Sequence, residues 1–111
     1  MRDFEAFDIV AVPFPYVERP TYQRRPALVI APPKKFGALG IAWVAMITAA
    51  ENRRWPGDIE IDDLRLAGLP IPSIIRPAKI ATVESRDLEA RGTLAKHQRD
   101  RVRRAIARYL G

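Results

Sequence analysis

The sequence contains no cysteine and a single histidine. The other candidate side chains for chemistry are those of arginine, threonine and serine. A metal site needs three or four His, Cys or clustered carboxylate ligands. The one acidic doublet is Asp62-Asp63, whose adjacent side chains should point apart. His97 lies in a charged stretch and is interpreted as a solvated helix residue rather than a general base. We therefore expect neither a metal ion nor a cofactor.

Arginine and threonine suffice for one reaction that needs neither, the self-cleavage of RNA. RNA carries its own nucleophile, the 2′-OH next to the scissile phosphate. A protein must hold that oxygen in line and neutralise the extra negative charge of the phosphorane. The planar, permanently charged guanidinium of arginine suits the second task, and a threonine hydroxyl can hydrogen-bond a phosphate oxygen or relay a proton.

The positive charge of the chain is concentrated at its C-terminal end. The sequence has 19 basic and 13 acidic residues, a net charge of +6. Residues 91–111 hold seven of the basic residues and one acidic residue, Asp100, so they account for the whole excess. Such a field attracts phosphate polymers and acidic protein tails alike. An anionic polymer, above all RNA, is the expected partner.

Short apolar runs separated by proline and glycine are the elements that must position these side chains. The predicted strands are residues 8–12, 27–31, 40–48, 58–61, 73–76 and 78–83. The first three are apolar at nearly every position, which is typical of strands covered on both faces, while 58–61 alternates and should be half-exposed. Pro13-Phe14-Pro15 is expected to close the first strand, and Pro77 to part the last two at an edge or bulge.

Polar loops and a terminal helix complete the pattern. The loops span about residues 16–25 and 49–57, residues 62–69 form a connector with one helical turn, and a second short turn over 85–89 could be capped by Ser85. An apolar stripe at helical spacing predicts an amphipathic C-terminal helix. Its members are Leu94, Val102, Ala105, Ile106, Tyr109 and Leu110.

These elements predict one domain over residues 1–111, since a chain of this length cannot form two cores. The fold is mostly β (α+β), a small barrel of five or six strands with the amphipathic helix docked on it. No apolar run is long enough to cross a membrane, and the first residues do not resemble a signal peptide. With no cysteine in the chain, a cytoplasmic location is expected.

Several segments occur in a fixed order and carry the most specific pattern. They are Asp8–Pro15, Arg24–Ile30, Ala45–Ala49, Gly57–Ile59, Ala67–Leu69, Pro72–Thr82 and Arg91–Leu94, followed by the terminal helix. In order and spacing they resemble the PemK/MazF family of toxin–antitoxin ribonucleases. The resemblance covers nearly the whole chain, from about residue 7 to residue 110.

This resemblance implies an SH3-like barrel, a homodimer and metal-independent, sequence-specific cleavage of single-stranded RNA, the activity of an mRNA interferase. The products would be a 2′,3′-cyclic phosphate and a 5′-OH. The catalytic arginine and threonine of the family match Arg25, assigned to charge stabilisation and leaving-group protonation, and Thr48, assigned to holding the scissile phosphate. The implied protein partner is a cognate antitoxin whose acidic tail covers the RNA groove.

Six further residues are predicted to bind the substrate: Tyr22, Arg24, Arg53, Arg54, Ser73 and Lys79. Ordinary structural roles compete with these assignments. Ser73 could cap its own turn instead of binding phosphate, and loop aromatics such as Tyr22 can stack on bases or pack as a lid over the core. Arg25 could pair with Glu18 or Glu51 at the entry to a strand, and only its place in the matched segments favours the catalytic role.

The chain departs from the family pattern in two respects. Phe7 stands where glycine usually precedes the first Asp-Ile, and Ala49 and Ala50 stand where a polar residue often follows Ile-Thr. The first change affects local packing. The second leaves open which groups besides Arg25 and Thr48 complete the site.

Two other functions are compatible with the same kind of barrel. A non-catalytic module would bind nucleic acid or protein and leave RNA uncut. A gyrase poison on this fold has a Trp-Gly-Ile ending, whereas this chain ends Arg108-Tyr109-Leu110-Gly111, so that function is disfavoured.

Overall fold

A computed structural model describes residues 3–15 and 22–110, with the backbone alone at residues 14, 15, 22 and 23. Within these residues the chain forms six strands, two α-helices and three short 3-10 turns. The strands are β1 (Asp8–Pro15), β2 (Tyr22–Ala31), β3 (Ile41–Ala49), β4 (Ile59–Glu60), β5 (Ser73–Glu84) and β6 (Glu89–Thr93). The helices are α1 (Leu64–Ala67) and α2 (Lys96–Leu110), and the 3-10 turns are Pro33–Lys35, Gly37–Leu39 and Ser85–Asp87.

All six strands belong to one antiparallel sheet in the order β4-β5-β3-β2-β1-β6. The sheet curls into a half-barrel, and α2 closes one of its faces. The predicted class, a mostly β barrel with a C-terminal helix, is therefore confirmed.

Side chains alternate between two core clusters, one on each face of the sheet. The cluster beneath α2 includes Ile9, Leu28, Ala45, Ile47, Ile75, Leu94 and Val102. The cluster on the opposite face includes Val10, Val12, Ala27, Val29, Val44 and Met46. Because both faces of the central strands are buried, their apolar residues run almost without interruption, as the sequence predicted.

The first strand does not stop at the prolines, contrary to expectation. β1 continues through Pro13 and Pro15, which lie opposite Arg24 and Tyr22 of β2. On its other side β1 pairs with β6 only from Asp8 to Ala11. Pro13 and Pro15 are two residues apart, so their backbone nitrogens face the same edge of β1. At an edge that is unpaired, the missing N–H groups cost no hydrogen bond of the sheet. The predicted loop is correspondingly shorter, since β2 begins at Tyr22, and residues 16–21 lie outside the described part.

The two strands predicted around Pro77 form a single strand, β5. Its pairing with β3 steps from Met46–Arg76 to Ala45–Ile80, so the residues between them form a bulge. The bulge at Pro77 was predicted, whereas the interruption of the strand is wrong. The bulge absorbs the proline, and the chain returns to the same partner strand.

The short element after β5 also differs from the prediction. Ser85 is the first residue of a 3-10 turn and does not cap it, while Glu89 belongs to β6. β6 was not predicted from the sequence, because Ala90 is the only apolar side chain among the five residues of this strand. Backbone pairing with β1 makes it a strand.

The C-terminal stripe is only partly buried. Val102 is fully buried and Ala105 and Ile106 pack against the core, but Tyr109 and Leu110 are 46% and 64% exposed. The hydroxyl of Tyr109 donates to the carbonyl of Pro56 at 2.8 Å, so the last turn of α2 reaches the loop after β3. Within the described ranges, no helix has the length and apolar character needed to cross a bilayer.

A glycine at the end of α1 allows this helix to pack against β6. Gly68 has φ +70°, and a Cβ there would lie 2.1 Å from the carbonyl oxygen of Arg91.

We expect Gly68→Ala to lower the free energy of unfolding by about 2 kcal/mol or more, because it adds a backbone clash to the left-handed strain. Urea denaturation measures this loss. Gly37→Ala is the matched control, with φ +56° and open space around the added Cβ; an equal loss in both variants would contradict a role for the close contact.

Candidate active site

Arg25 and Thr48 come from neighbouring strands near the same end of the sheet. The β2–β3 pairing ends at Ala27 and Met46. Arg25 lies two residues before Ala27, and Thr48 two residues after Met46, just beyond the paired part of the two strands. Residues opposite one another share a face, as do residues two apart along a strand, so both side chains project to the face of Ala27 and Met46, which is the face away from α2.

The strand residues that flank this pair are apolar. Arg25 lies opposite Val12 of β1, and Thr48 lies opposite Ile74 of β5; both neighbours are fully buried. Arg25 and Thr48 themselves are half-buried. A guanidinium in such partial shelter acts on an anion through a lower effective dielectric than bulk water, so its attraction for a phosphate is stronger there.

The segment after β3 folds back over Thr48. Asn52 donates from its side-chain amide to the Thr48 hydroxyl at 2.6 Å, and its backbone N–H donates to the Ala49 carbonyl at 3.0 Å. Ala50 N–H donates to the Pro72 carbonyl at 2.9 Å, which ties the turn to the start of β5. Asn52 was not predicted as a site residue. Its only signal in the sequence is a polar side chain four positions after the threonine.

A buried ion pair anchors the far side of the same loop. Arg76 lies opposite Met46 and so shares the face of Thr48. Its guanidinium donates to both carboxylate oxygens of Asp58 at 3.0–3.3 Å and to the Arg53 carbonyl at 2.7 Å. Trp55 covers the guanidinium, with 4.2 Å from the ring centroid to Cζ. The side chains of Arg76 and Asp58 are only 11% and 2% exposed. Nothing in the sequence indicated this anchor, because residues 58 and 76 meet only through the sheet.

The PemK-like, MazF-like toxin family of type II toxin–antitoxin systems matches residues 5–110 of the sequence. The chain belongs to this family. No curated protein matches the sequence significantly.

Solved structures support the same fold. MazF from Deinococcus radiodurans superposes with a TM-score of 0.77 at 20% identity, covering 100% of this chain and 99% of that one. An endoribonuclease from a mycobacterial species, in complex with its cognate antitoxin, gives 0.73 at 14% identity over 96% and 93%. The Mycobacterium tuberculosis toxin MazF-mt6 gives 0.68 at 22% identity over 91% and 94%. These similarities show that the chain has the MazF fold.

The loop of this MazF-type toxin also carries two predicted substrate-binding residues, Arg53 and Arg54. Both are exposed. Arg54 forms an ion pair with Glu60 of β4, and the backbone of Arg53 is held by Arg76. The loop therefore carries two exposed arginines directly after Asn52 in the chain, and the guanidinium of Arg54 contacts β4.

Arg24 lies on the opposite face of β2 from Arg25, because consecutive strand residues alternate. It pairs with Glu89 at 3.3 Å and donates to the Asp87 carbonyl at 3.4 Å. The pKa of the Glu89 carboxyl lies below its usual value, chiefly through the hydrogen bond from Arg91 and the charge of that residue, with Arg24 adding to the effect. The structure does not bring Arg24 to the face of Thr48.

The remaining predicted substrate-binding residues have different settings. Ser73 is buried and lies opposite Ala49, on the other face from Thr48, and its hydroxyl donates to the Ile71 carbonyl at 2.8 Å. Lys79 is exposed within the β5 bulge. The backbone of Tyr22 lies at the start of β2, opposite Pro15, and its side chain lies outside the described part. Binding of substrate by these three residues stays a prediction.

Acidic and histidine side chains near α1 do not form a larger cluster. His97 Nε2 lies 2.9 Å from Asp62 Oδ2, with both side chains more than half exposed. Among residues 3–15 and 22–110 there is no group of three or more His, Cys, Asp or Glu that could hold a metal ion.

Proposed function

We propose that this toxin is an mRNA interferase, a metal-independent and sequence-specific endoribonuclease that cleaves single-stranded RNA. The observation that carries the proposal is that Arg25 and Thr48, both half-buried, come from neighbouring strands and share the face of Ala27 and Met46. Membership of the PemK/MazF toxin family supports it, as does the similar fold of a mycobacterial protein named as an endoribonuclease.

In the proposed reaction the 2′-oxygen forms a bond to phosphorus while the bond from phosphorus to the 5′-oxygen breaks. The 2′-OH loses its proton, and the departing 5′-oxygen gains one. The products are a 2′,3′-cyclic phosphate and a 5′-OH. The rate gain comes from holding the 2′-oxygen in line and from stabilising the charge that develops on the phosphorane.

Arg25 and Thr48 have separate tasks in this proposal. The Arg25 guanidinium stabilises the phosphorane and provides a hydrogen-bond donor at the leaving oxygen. Because the pKa of arginine is above about 12, charge stabilisation outweighs proton transfer in its role. The Thr48 hydroxyl donates to a non-bridging oxygen of the scissile phosphate and fixes its position.

RNA outside the cleavage point is held by charge in this proposal. Arg53 and Arg54 on the loop and Lys79 in the bulge are exposed cations that can contact neighbouring phosphates. Arg24 and Arg54 form ion pairs with Glu89 and Glu60, so each would exchange its carboxylate for a phosphate. We assign Tyr22 and Ser73 no step in the reaction.

The proposed protein partners are a cognate antitoxin with an acidic tail and a second copy of the chain. A complex of the mycobacterial endoribonuclease with its antitoxin supports the first. An exposed apolar surface supports the second, since patches of this kind commonly form interfaces. It is lined by Phe7, Ile30, Trp43, Ile106 and Leu110 together with Arg103, and its exposed apolar side chains are Trp43 and Leu110.

End-group analysis of the cleavage products tests this function. Purified toxin incubated with single-stranded RNA and excess EDTA should give a 2′,3′-cyclic phosphate and a 5′-OH at a short recurring sequence. Thr48→Ala should cut about 10²-fold more slowly, the usual loss for one donor to a developing charge. RNA that is bound but left uncut would indicate a non-catalytic binding module instead.

A further inference from the structure

The Thr48 hydroxyl is already in contact with one side chain of the loop. Asn52 Nδ2 donates to Thr48 Oγ1 at 2.6 Å. A hydroxyl accepts at two lone pairs and donates one proton. With an amide N–H on one lone pair, the Thr48 oxygen serves as the acceptor in this bond, and its proton can point to another acceptor.

We propose that Asn52 is a positioning residue that orients the Thr48 hydroxyl to donate to the scissile phosphate. The inference rests on the proposed ribonuclease function. The sequence left open which groups besides Arg25 and Thr48 complete the site, because Ala49 and Ala50 stand where the family often has a polar residue. Asn52 supplies a polar group from two positions further along the chain.

Backbone geometry delivers the Asn52 side chain to Thr48. The bond from Asn52 N–H to the Ala49 carbonyl closes a turn directly after β3, and the bond from Ala50 N–H to Pro72 fixes that turn to β5. The two alanines inside the turn have no polar side chain that could compete for the hydroxyl. The Asn52 amide therefore reaches Thr48 from a fixed backbone.

The rest of the loop is held independently. Arg76 binds Asp58 and the Arg53 carbonyl, Asp58 accepts from Trp55 N–H at 2.8 Å, and Tyr109 donates to Pro56. These contacts immobilise the segment after Asn52 before any substrate arrives. A group that is fixed in advance loses little entropy when the transition state forms.

A double-mutant cycle separates positioning from a purely structural role. We expect Asn52→Ala to reduce kcat about tenfold, the rate equivalent of one hydrogen bond, with KM changed less than twofold. In the Thr48→Ala background the same change should have no further effect, because Asn52 acts through the hydroxyl. Single-turnover cleavage of one RNA oligonucleotide in EDTA provides all four rates.

Two further variants sharpen the comparison. Asn52→Asp has the same shape but can only accept, so it should draw the Thr48 proton away from the phosphate and cut more slowly than Asn52→Ala. Asp63→Ala is the control. It removes a hydrogen bond of 3.0 Å at the start of α1, outside the loop, and should cut within twofold of the wild-type rate.

The outcomes are distinct. Equal losses from Asn52→Ala in the wild-type and Thr48→Ala backgrounds, or wild-type rates for Asn52→Ala or Asn52→Asp, would overturn the positioning role while the ribonuclease function stands. A wild-type toxin that cuts no RNA would overturn the proposed function, and this inference with it.

Discussion

Replacing Arg25 by alanine is expected to slow RNA cleavage by about 10²–10³-fold, which is the usual cost of removing one preorganised donor from a developing oxyanion. The loss should appear in kcat, because the guanidinium matters most when the phosphorane carries its additional charge. Arg25 is half-buried and belongs to neither core cluster, so circular dichroism and urea denaturation should show a folded variant. Single-turnover cleavage of a defined oligonucleotide measures the effect.

Arg25→Lys tests which property of the side chain matters. Lysine keeps the charge but lacks the planar fork that can contact two phosphate oxygens at once. We expect a rate between those of the wild type and Arg25→Ala. Full activity in Arg25→Ala would contradict the assignment of charge stabilisation to this residue.

Removing the guanidinium of Arg76 should have the largest effect on stability. Arg76→Met would leave the Asp58 carboxylate, which is only 2% exposed, without its charged partner. Breaking a buried ion pair in this way costs about 3–5 kcal/mol, a large share of the ~5–15 kcal/mol that holds a small domain folded. Urea denaturation should show this loss in the free energy of unfolding.

Two controls accompany this variant. Arg86→Met breaks an ion pair with Glu84 whose side chains are 80% and 55% exposed, and should cost no more than about 1 kcal/mol. Adding Asp58→Asn to Arg76→Met should recover part of the stability, because the buried group is then neutral. If Arg76→Met and Arg86→Met lost the same amount, the pair between Arg76 and Asp58 would not anchor the loop.

The strands could be predicted from sequence wherever both faces are buried. Residues 27–31 and 40–48 are continuous apolar runs, and the structure places them in β2 and β3. Periodicity gave no sign of β6, since its residues are mostly polar and its strand conformation comes from backbone pairing with β1. The end of β1 was predicted too early, because a proline interrupts a strand only where its nitrogen faces a paired edge, and the sequence does not show which edge is paired.

The site could be predicted only in part. Family resemblance singled out Arg25 and Thr48, but their placement on one face of neighbouring strands depends on a pairing that spacing along the chain does not reveal. The pair Arg76–Asp58 was missed because it forms across the fold, and Asn52 because its contact depends on the geometry of the turn after β3. Arg24 was predicted to bind substrate next to Arg25. Strand alternation instead places Arg24 on the opposite face, where it pairs with Glu89.

The central claim is that RNA supplies its own nucleophile to the site formed by Arg25 and Thr48. Its most direct test is an oligonucleotide with one 2′-deoxy sugar, placed on the 5′ side of the scissile phosphate and incubated with the toxin in EDTA. We expect cleavage at that phosphate to be abolished while the all-ribose oligonucleotide is cut. Cleavage of both at the same rate, or loss of all cleavage in EDTA that divalent ions restore, would contradict the account.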